Sequence, residues 1–163
     1  MRLELISAGG RRMEEPMDET DVKLLKALAK KADVTATELM VKVNLSIPAV
    51  NKRIARLKSS GVIRRVTVLT DPKTVGKPIV AFVLIVLDRF SGTESLLQQV
   101  KKDPDILECY AVTGEYDYLL KICAADIEAF EEKLLQLKTK NVAKSHTLLT
   151  LCEHKFEPTA LPD

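Results

Sequence analysis

The sequence predicts an α+β chain in two parts. Apolar residues recur at helical spacing through about the first sixty positions, "TDPKTVGKP" at 70–78 breaks that pattern with turn residues, and strand-length and helix-length segments alternate thereafter. Charge divides at the same place. Counted along the 163 residues, 1–16 are neutral, 17–70 carry +6 and 71–163 carry −4, so the net +2 conceals a basic half followed by an acidic one. Such asymmetry points to a nucleic-acid-binding part joined to something else.

Several classes fall away on composition. The longest apolar run, "IVAFVLIVL" at 79–87, is strand-length, well short of the roughly 18 residues that span a bilayer, so no membrane partner is expected. Residues 1–16 lack the apolar stretch of a secretory signal and read as an extension, with Met13 and Met17 each a candidate start and a cytoplasmic location expected. Cys109, Cys123 and Cys152 form no Cys-x-x-Cys pair and sit in apolar segments, which predicts buried, reduced thiols and no metal site.

In the basic half, residues 17–70, "DETDVKLLKALAKKAD" offers an Asp or Thr cap and then Val22, Leu25, Leu28 and Ala29 as an apolar helix stripe. "TATELMVKV" has Thr35 three residues before Glu38, the capping-box spacing, with Leu39, Met40 and Val43 as its apolar face. After a turn at "VNLS", Ser46 caps a third helix that holds Pro48 in its first turn and ends at Gly61. Ile47, Val50, Ile54 and Leu57 form its inward stripe. The opposite face then holds Ala49, Lys52, Arg56 and Ser59, flanked by Asn51, Arg53 and Lys58, and it is free of acids. Small residues allow close approach to a major groove, Asn pairs with adenine, and Lys or Arg reach guanine or phosphate. "VIRRVTVLTD" reads as a strand led by Arg64 and Arg65. Three helices and a strand hairpin make a winged helix-turn-helix, whose partner is double-stranded DNA.

A linker is expected at 71–78. From 79 to 156 the order reads strand 79–87, helix 93–102, strand 106–113, strand 117–124, helix 126–139, strand 144–155, with a tail at 157–163. That order, βαββαβ, is ferredoxin-like: an antiparallel sheet with both helices on one face. "IVAFVLIVL" is apolar at odd and even positions alike, so the other face also wants burial, which predicts a homodimer. Two copies would read half-sites about 34 Å apart. Between the second and third strands, "TGEYDYLL" at 113–120 puts Glu115 and Asp117 beside two tyrosines in a Gly114 turn, a candidate site for the charged groups of an amino acid.

With both halves read, the chain resembles the leucine-responsive and asparagine-synthesis regulator (Lrp/AsnC) family of bacterial and archaeal transcription factors. The resemblance rests on "MDETDVKLLKALAKKADVTATELMVKVNLSIPAVNKRIARLKSSGVIRR" and "ILECYAVTGEYDYLLKICAADIEAFEEKLL" and covers about 17–155. It implies a C-terminal module that dimerises through its sheet, assembles into octamers, and in many members binds an amino acid between dimers. Carried over by residue, it assigns DNA contacts to Ser46, Asn51, Lys52, Arg53 and Arg56, beside Ala49, Arg64 and Arg65 from the reading above. Effector contacts fall on Thr113, Gly114, Glu115, Tyr116, Asp117 and Tyr118, with Ser145 and Thr147 as polar positions of the last strand. Two departures bear on this: Ile47 separates Ser46 from Pro48 where many members have Ser-Pro, and "KTKNVAK" replaces a Pro-Gly before the last strand.

Two rival functions remain. An architectural protein would bind DNA broadly and sense nothing. Haem-pathway decarboxylases resemble this family in architecture but need pocket histidines, and His146 and His154, eight apart in the expected last strand, do not pair. No cofactor or catalytic set presents itself, so the expected protein is a DNA-binding regulator and not an enzyme.

Overall fold

Asp18 starts the first helix. In the computed structural model, which describes residues 16–31, 33–88, 92–139 and 142–163, its carboxylate accepts from the Asp21 N–H at 2.8 Å, and the Asp21 carboxylate accepts from the Asp18 N–H at 3.2 Å. The expected extension at 1–16 lies, but for Pro16, outside the described residues. This reciprocal cap satisfies two of the orphan donors at the start of α1 (Glu19–Lys30). The buried line of α1 is Asp21, Leu24 and Ala27, one position from the expected apolar stripe: Val22, Leu25 and Leu28 are half-buried and Ala29 is exposed. The stripe shifts because a carboxylate occupies the buried face, and a search for apolar periodicity passes over it.

α2 (Ala36–Val43) carries the expected box, with Thr35 Oγ1 accepting from the Glu38 N–H and Glu38 accepting from the Thr35 N–H. Asn44 ends it in the left-handed region, at φ 52°. Ser46 caps α3 (Ile47–Ser59) by accepting from the Ala49 N–H, and Pro48 sits in the first turn, where its missing N–H leaves no bond unmade. The Ser-Ile-Pro departure therefore keeps Ser46 as the cap. Gly61, at φ 80°, follows the helix end. Leu24, Ala27, Leu39 and Val50 form the buried centre of the three helices.

The expected wing strand is not formed. Residues 64–71 belong to no ladder, and Val66, Val68 and Leu69 are exposed. A strand needs a partner for its N–H and C=O groups, and among the described residues none pairs with this stretch.

The chain divides into two compact units, residues up to Leu69 with Glu157–Asp163, and Thr70–Phe156. The stretch expected as a linker is an ordered turn of the second unit. Asp71 accepts from the Lys73 and Thr74 N–H groups, and Lys77 N–H closes on the Pro72 carbonyl at 2.7 Å.

That unit has the expected order: β1 (Ile79–Leu87), α4 (Thr93–Lys102), β2 (Ile106–Ala111), β3 (Tyr118–Ala124), α5 (Ile127–Lys138), β4 (Val142–Leu149). The sheet runs β2-β3-β1-β4, antiparallel throughout. Ala81, Val83 and Ile85 of β1 pair with Ile122, Leu120 and Tyr118 of β3, and pack with Leu96 of α4 and Phe130 and Leu137 of α5 in one core. The intervening Phe82, Leu84 and Val86 point to the other face and are half-exposed. β4 was expected to reach 155 and stops at Leu149: the Ala81–Leu149 pair is its last, one further bond runs from Thr150 N–H to the Val80 carbonyl, and with β1 starting at Ile79 the register leaves residues past Leu151 no β1 partner.

Asp21→Ala is expected to lower unfolding stability by about 2–3 kcal/mol in urea denaturation. Breaking a buried ion pair costs about 3–5 kcal/mol, and the two arginines that Asp21 holds are partly solvated, which reduces the loss.

Candidate functional site

The third helix divides its basic residues between two tasks. Arg53 Nη1 donates to Asp21 Oδ1 at 2.9 Å and to Asp18 Oδ2 at 2.7 Å, and Arg56 Nη2 donates to Asp21 Oδ2. Asp21 is fully buried, so both guanidiniums turn toward α1. The Asp18 side chain, then that of Asp21, holds Arg53 above its ordinary value, while the Asp21 N–H and then Arg53 hold the Asp18 carboxyl below the usual carboxylate range. The face expected to be free of acids therefore has two of its arginines bound to the protein's own carboxylates. Arg53, Arg56 and Ala49 are half-buried, and the solvent-facing side holds Asn51, Lys52, Ala55, Lys58 and Ser59, with Ser46 at its tip. Relative to the expected face it is rotated by roughly 90° about the helix axis. Arg64 and Arg65 are exposed on the stretch that follows. Ala55 was missed by the sequence reading, and Lys58 was placed on a flank. The signal that would have found this face is Asp21, four positions into a capping sequence and at helical spacing from Leu24.

The second candidate is the turn between β2 and β3. Thr113, Gly114 and Glu115 are exposed, and Gly114 takes φ 108°, a conformation that disfavours any side chain although a Cβ would meet nothing within 4 Å. Asp117 anchors the turn. Its N–H donates to the Ile85 carbonyl at 2.8 Å, its carbonyl accepts from the Val112 N–H at 3.0 Å, and its carboxylate accepts from the Leu87 N–H at 2.8 Å. The Leu87 bond falls where the β1–β4 register shifts between Val86 and Leu87. A carboxylate thus supplies the acceptor for an N–H at the irregular end of the strand.

The expected effector residues do not all meet. Ser145 and Thr147 pair with Ile85 and Val83, which places them on the helix-covered side of the sheet. Tyr116 meets their alternates instead: Lys144 Nζ lies 5.5 Å from its ring centroid and the His146 ring 6.5 Å away. Lys144 and His146 pair with Val86 and Leu84, on the open face. Tyr118 begins β3 and is half-buried against the core. The cluster is Tyr116, Lys144 and His146 beside Thr113–Glu115, and alternation along β4 was the signal for it once the register with β1 is known.

The remaining polar groups are placed as follows. Cys123 is buried and Cys109 half-buried, where burial pushes its thiol up, but Cys152 is exposed, against expectation. His154 lies beyond the end of β4, so the two histidines do not share the strand. Among the described residues no group of three or more His, Cys, Asp or Glu is placed to hold a metal ion, and no helix is long and apolar enough to cross a membrane.

Comparison with known proteins places both units. Residues 17–64 match the family described as winged helix-turn-helix DNA-binding, and residues 80–160 match the Lrp/AsnC ligand binding domain. The transcriptional regulator AzlB of Bacillus subtilis is 34% identical over 131 residues, covering 79% of this chain and 83% of AzlB. The glutamate uptake regulatory protein of Zymomonas mobilis is 32% identical over 152 residues, covering 92% of this chain and 93% of its own. A transcriptional regulator of Neisseria meningitidis, solved as its L-Met complex, superposes with a TM-score of 0.82 at 29% identity, covering 89% of this chain and 96% of that one.

Asp117→Ala is expected to speed hydrogen exchange at the Leu87 amide and to lower stability by about 1 kcal/mol, the scale of one lost hydrogen bond. Asp117→Asn keeps an acceptor at the same place, so slow exchange should largely return.

Proposed function

The chain belongs to the Lrp/AsnC family of DNA-binding transcriptional regulators, and from that premise we propose that it reads DNA through the solvent-facing side of α3 and answers to an amino acid held at the turn between β2 and β3. The observation that carries the DNA reading is the α3 face itself. Ser46, Asn51, Lys52 and Lys58 stand exposed on a helix whose inner side is locked to α1, with Arg64 and Arg65 exposed beyond it. Asn51 and Ala55 bring a base-edge hydrogen-bonding group and close approach, and the lysines bring phosphate contact. Arg53 and Arg56 act by fixing the helix on α1.

Protein copies pair in this reading through the open face of the sheet, where Leu84 pairs with Leu119 and Phe82 with Leu148, which is exposed on the edge strand β4. An apolar sheet face of this kind favours coverage by a second copy. Assembly into octamers is the further expectation that the family resemblance carries.

The effector reading rests on the Tyr116 cluster. Lys144 and His146 supply cation and hydrogen-bond donors for a carboxylate, Tyr116 an aromatic wall, and Glu115, exposed in the same turn, a partner for an ammonium group. The glutamate uptake regulator and the L-Met complex among its relatives favour an amino acid. Regulation without catalysis agrees with relatives named as regulators and with His154 lying outside the strand that carries His146.

Lys52→Ala is expected to weaken binding to duplex DNA and to reduce the slope of log affinity against log salt by about 0.9. Arg56→Ala should leave the slope unchanged while lowering stability; fluorescence anisotropy over a salt series reads both, and a normal slope in Lys52→Ala would remove this face from the contact. In a panel of the twenty amino acids, the effector should stabilise the protein by about 2.7 kcal/mol at a hundredfold excess over its Kd. Tyr116→Ala should abolish that gain and Ser145→Ala should keep it. A panel with no shift would favour the architectural reading.

A further inference from the structure

After Leu149 the chain leaves the sheet and runs as residues 150–156 without a ladder partner. It returns to the sheet at Phe156, whose ring lies 5.1 Å from Lys121 Nζ, itself 6.0 Å from the Phe82 ring. Between these anchors stand Cys152 and His154. They stand two residues apart, and Cys152 Sγ lies 3.3 Å from His154 Nε2 with both side chains exposed.

We propose that Cys152 and His154 form a bidentate thiolate–imidazole site for a thiophilic divalent cation of the zinc class. Zinc binds sulfur at about 2.3 Å and imidazole nitrogen at about 2.0–2.1 Å, so two such donors at a tetrahedral angle stand about 3.5 Å apart. The observed 3.3 Å needs that angle to close by only about ten degrees. The pair is thus spaced as two corners of a zinc tetrahedron. A thiolate with an imidazole selects zinc-like cations over magnesium or calcium, which take oxygen ligands.

Cys152 is also the thiol best placed for a solvent-borne ion. Cys123 is buried with its Sγ directed at the Asp105 carbonyl, 3.6 Å away, and Cys109 is half-buried. With no third protein ligand of the described residues in the group, two coordination positions open to solvent and take water. Binding replaces the thiol proton by the metal: the S–H bond breaks, a sulfur–metal bond forms, and one proton leaves to solvent with no change of oxidation state. The pair shares no residue with the α3 face or the Tyr116 cluster, and its test does not depend on either.

Titration of the reduced full-length protein with Co²⁺, followed by Zn²⁺, tests the pair. Wild type should develop a near-ultraviolet thiolate-to-cobalt absorption that saturates at no more than one equivalent per chain. Excess Zn²⁺ should remove it and excess Mg²⁺ should not. Cys152→Ser should abolish the band, and His154→Ala should retain it with affinity reduced at least tenfold. Both positions are exposed, so unchanged thermal melting verifies that the variants fold. Absence of the band at millimolar Co²⁺, a full band in Cys152→Ser, or unchanged affinity in His154→Ala would each overturn the proposal.

Discussion

The N-terminal unit is organised around one buried carboxylate. Asp21 closes the capping box of α1 and accepts from Arg53 and Arg56 of α3, so one side chain joins the start of the first helix to the middle of the third. An uncompensated charge at this depth would cost several kcal/mol, and the arginines remove that cost only in one arrangement of the two helices. Apolar packing of Leu24, Leu39 and Val50 tolerates small rotations of α3; two guanidiniums on one carboxylate do not. The direction in which Asn51 and Lys52 project is therefore set from the inner side of the helix.

A corresponding division runs through the sheet. The alternation of β1 puts Ala81, Val83 and Ile85 into the core under α4 and α5, and leaves Phe82 and Leu84 on the open side. β4 continues the division, with Ser145 and Thr147 on one side and Lys144, His146 and Leu148 on the other. The apolar surface available to a second copy and the cationic cluster around Tyr116 thus lie on one face. A ligand seated at that cluster would touch the same layer of side chains that a second copy would cover.

What the sequence made legible was local. Thr35 with Glu38, Ser46 before its helix, and the order of strands and helices in the C-terminal half all follow from contacts a few residues apart or from periodicity, and the structure has them. What it hid depended on partners distant in the chain. Asp21 reads as a surface acid until Arg53 and Arg56, more than thirty residues on, are seen to reach it. Residues 64–71 have the composition of a strand but, among the described residues, no strand pairs with them. β4 has apolar residues enough to run to 155, yet past Leu151 the register leaves it no residue of β1 to pair with. Ser145 and His146 exchange sides if the register slips by one, and no property of β4 alone fixes that register.

Asp117 shows how such distant pairing shapes the candidate effector site. Its three bonds tie the Tyr116 turn to Val112 at the end of β2 and to Ile85 and Leu87 at the end of β1, so the turn cannot shift without straining the sheet. The sheet is irregular at that point, because the β1–β4 register breaks between Val86 and Leu87. A bulge concentrates bending in one place while the ladder on either side stays stiff. Displacement of the turn would therefore be taken up at Val86 and Leu87 and passed to Lys144, which pairs with Val86 and itself stands over Tyr116. The turn, the break in register and the edge strand form a closed mechanical loop, and Asp117 is the link through which a molecule seated on Tyr116 would act on the strand edge.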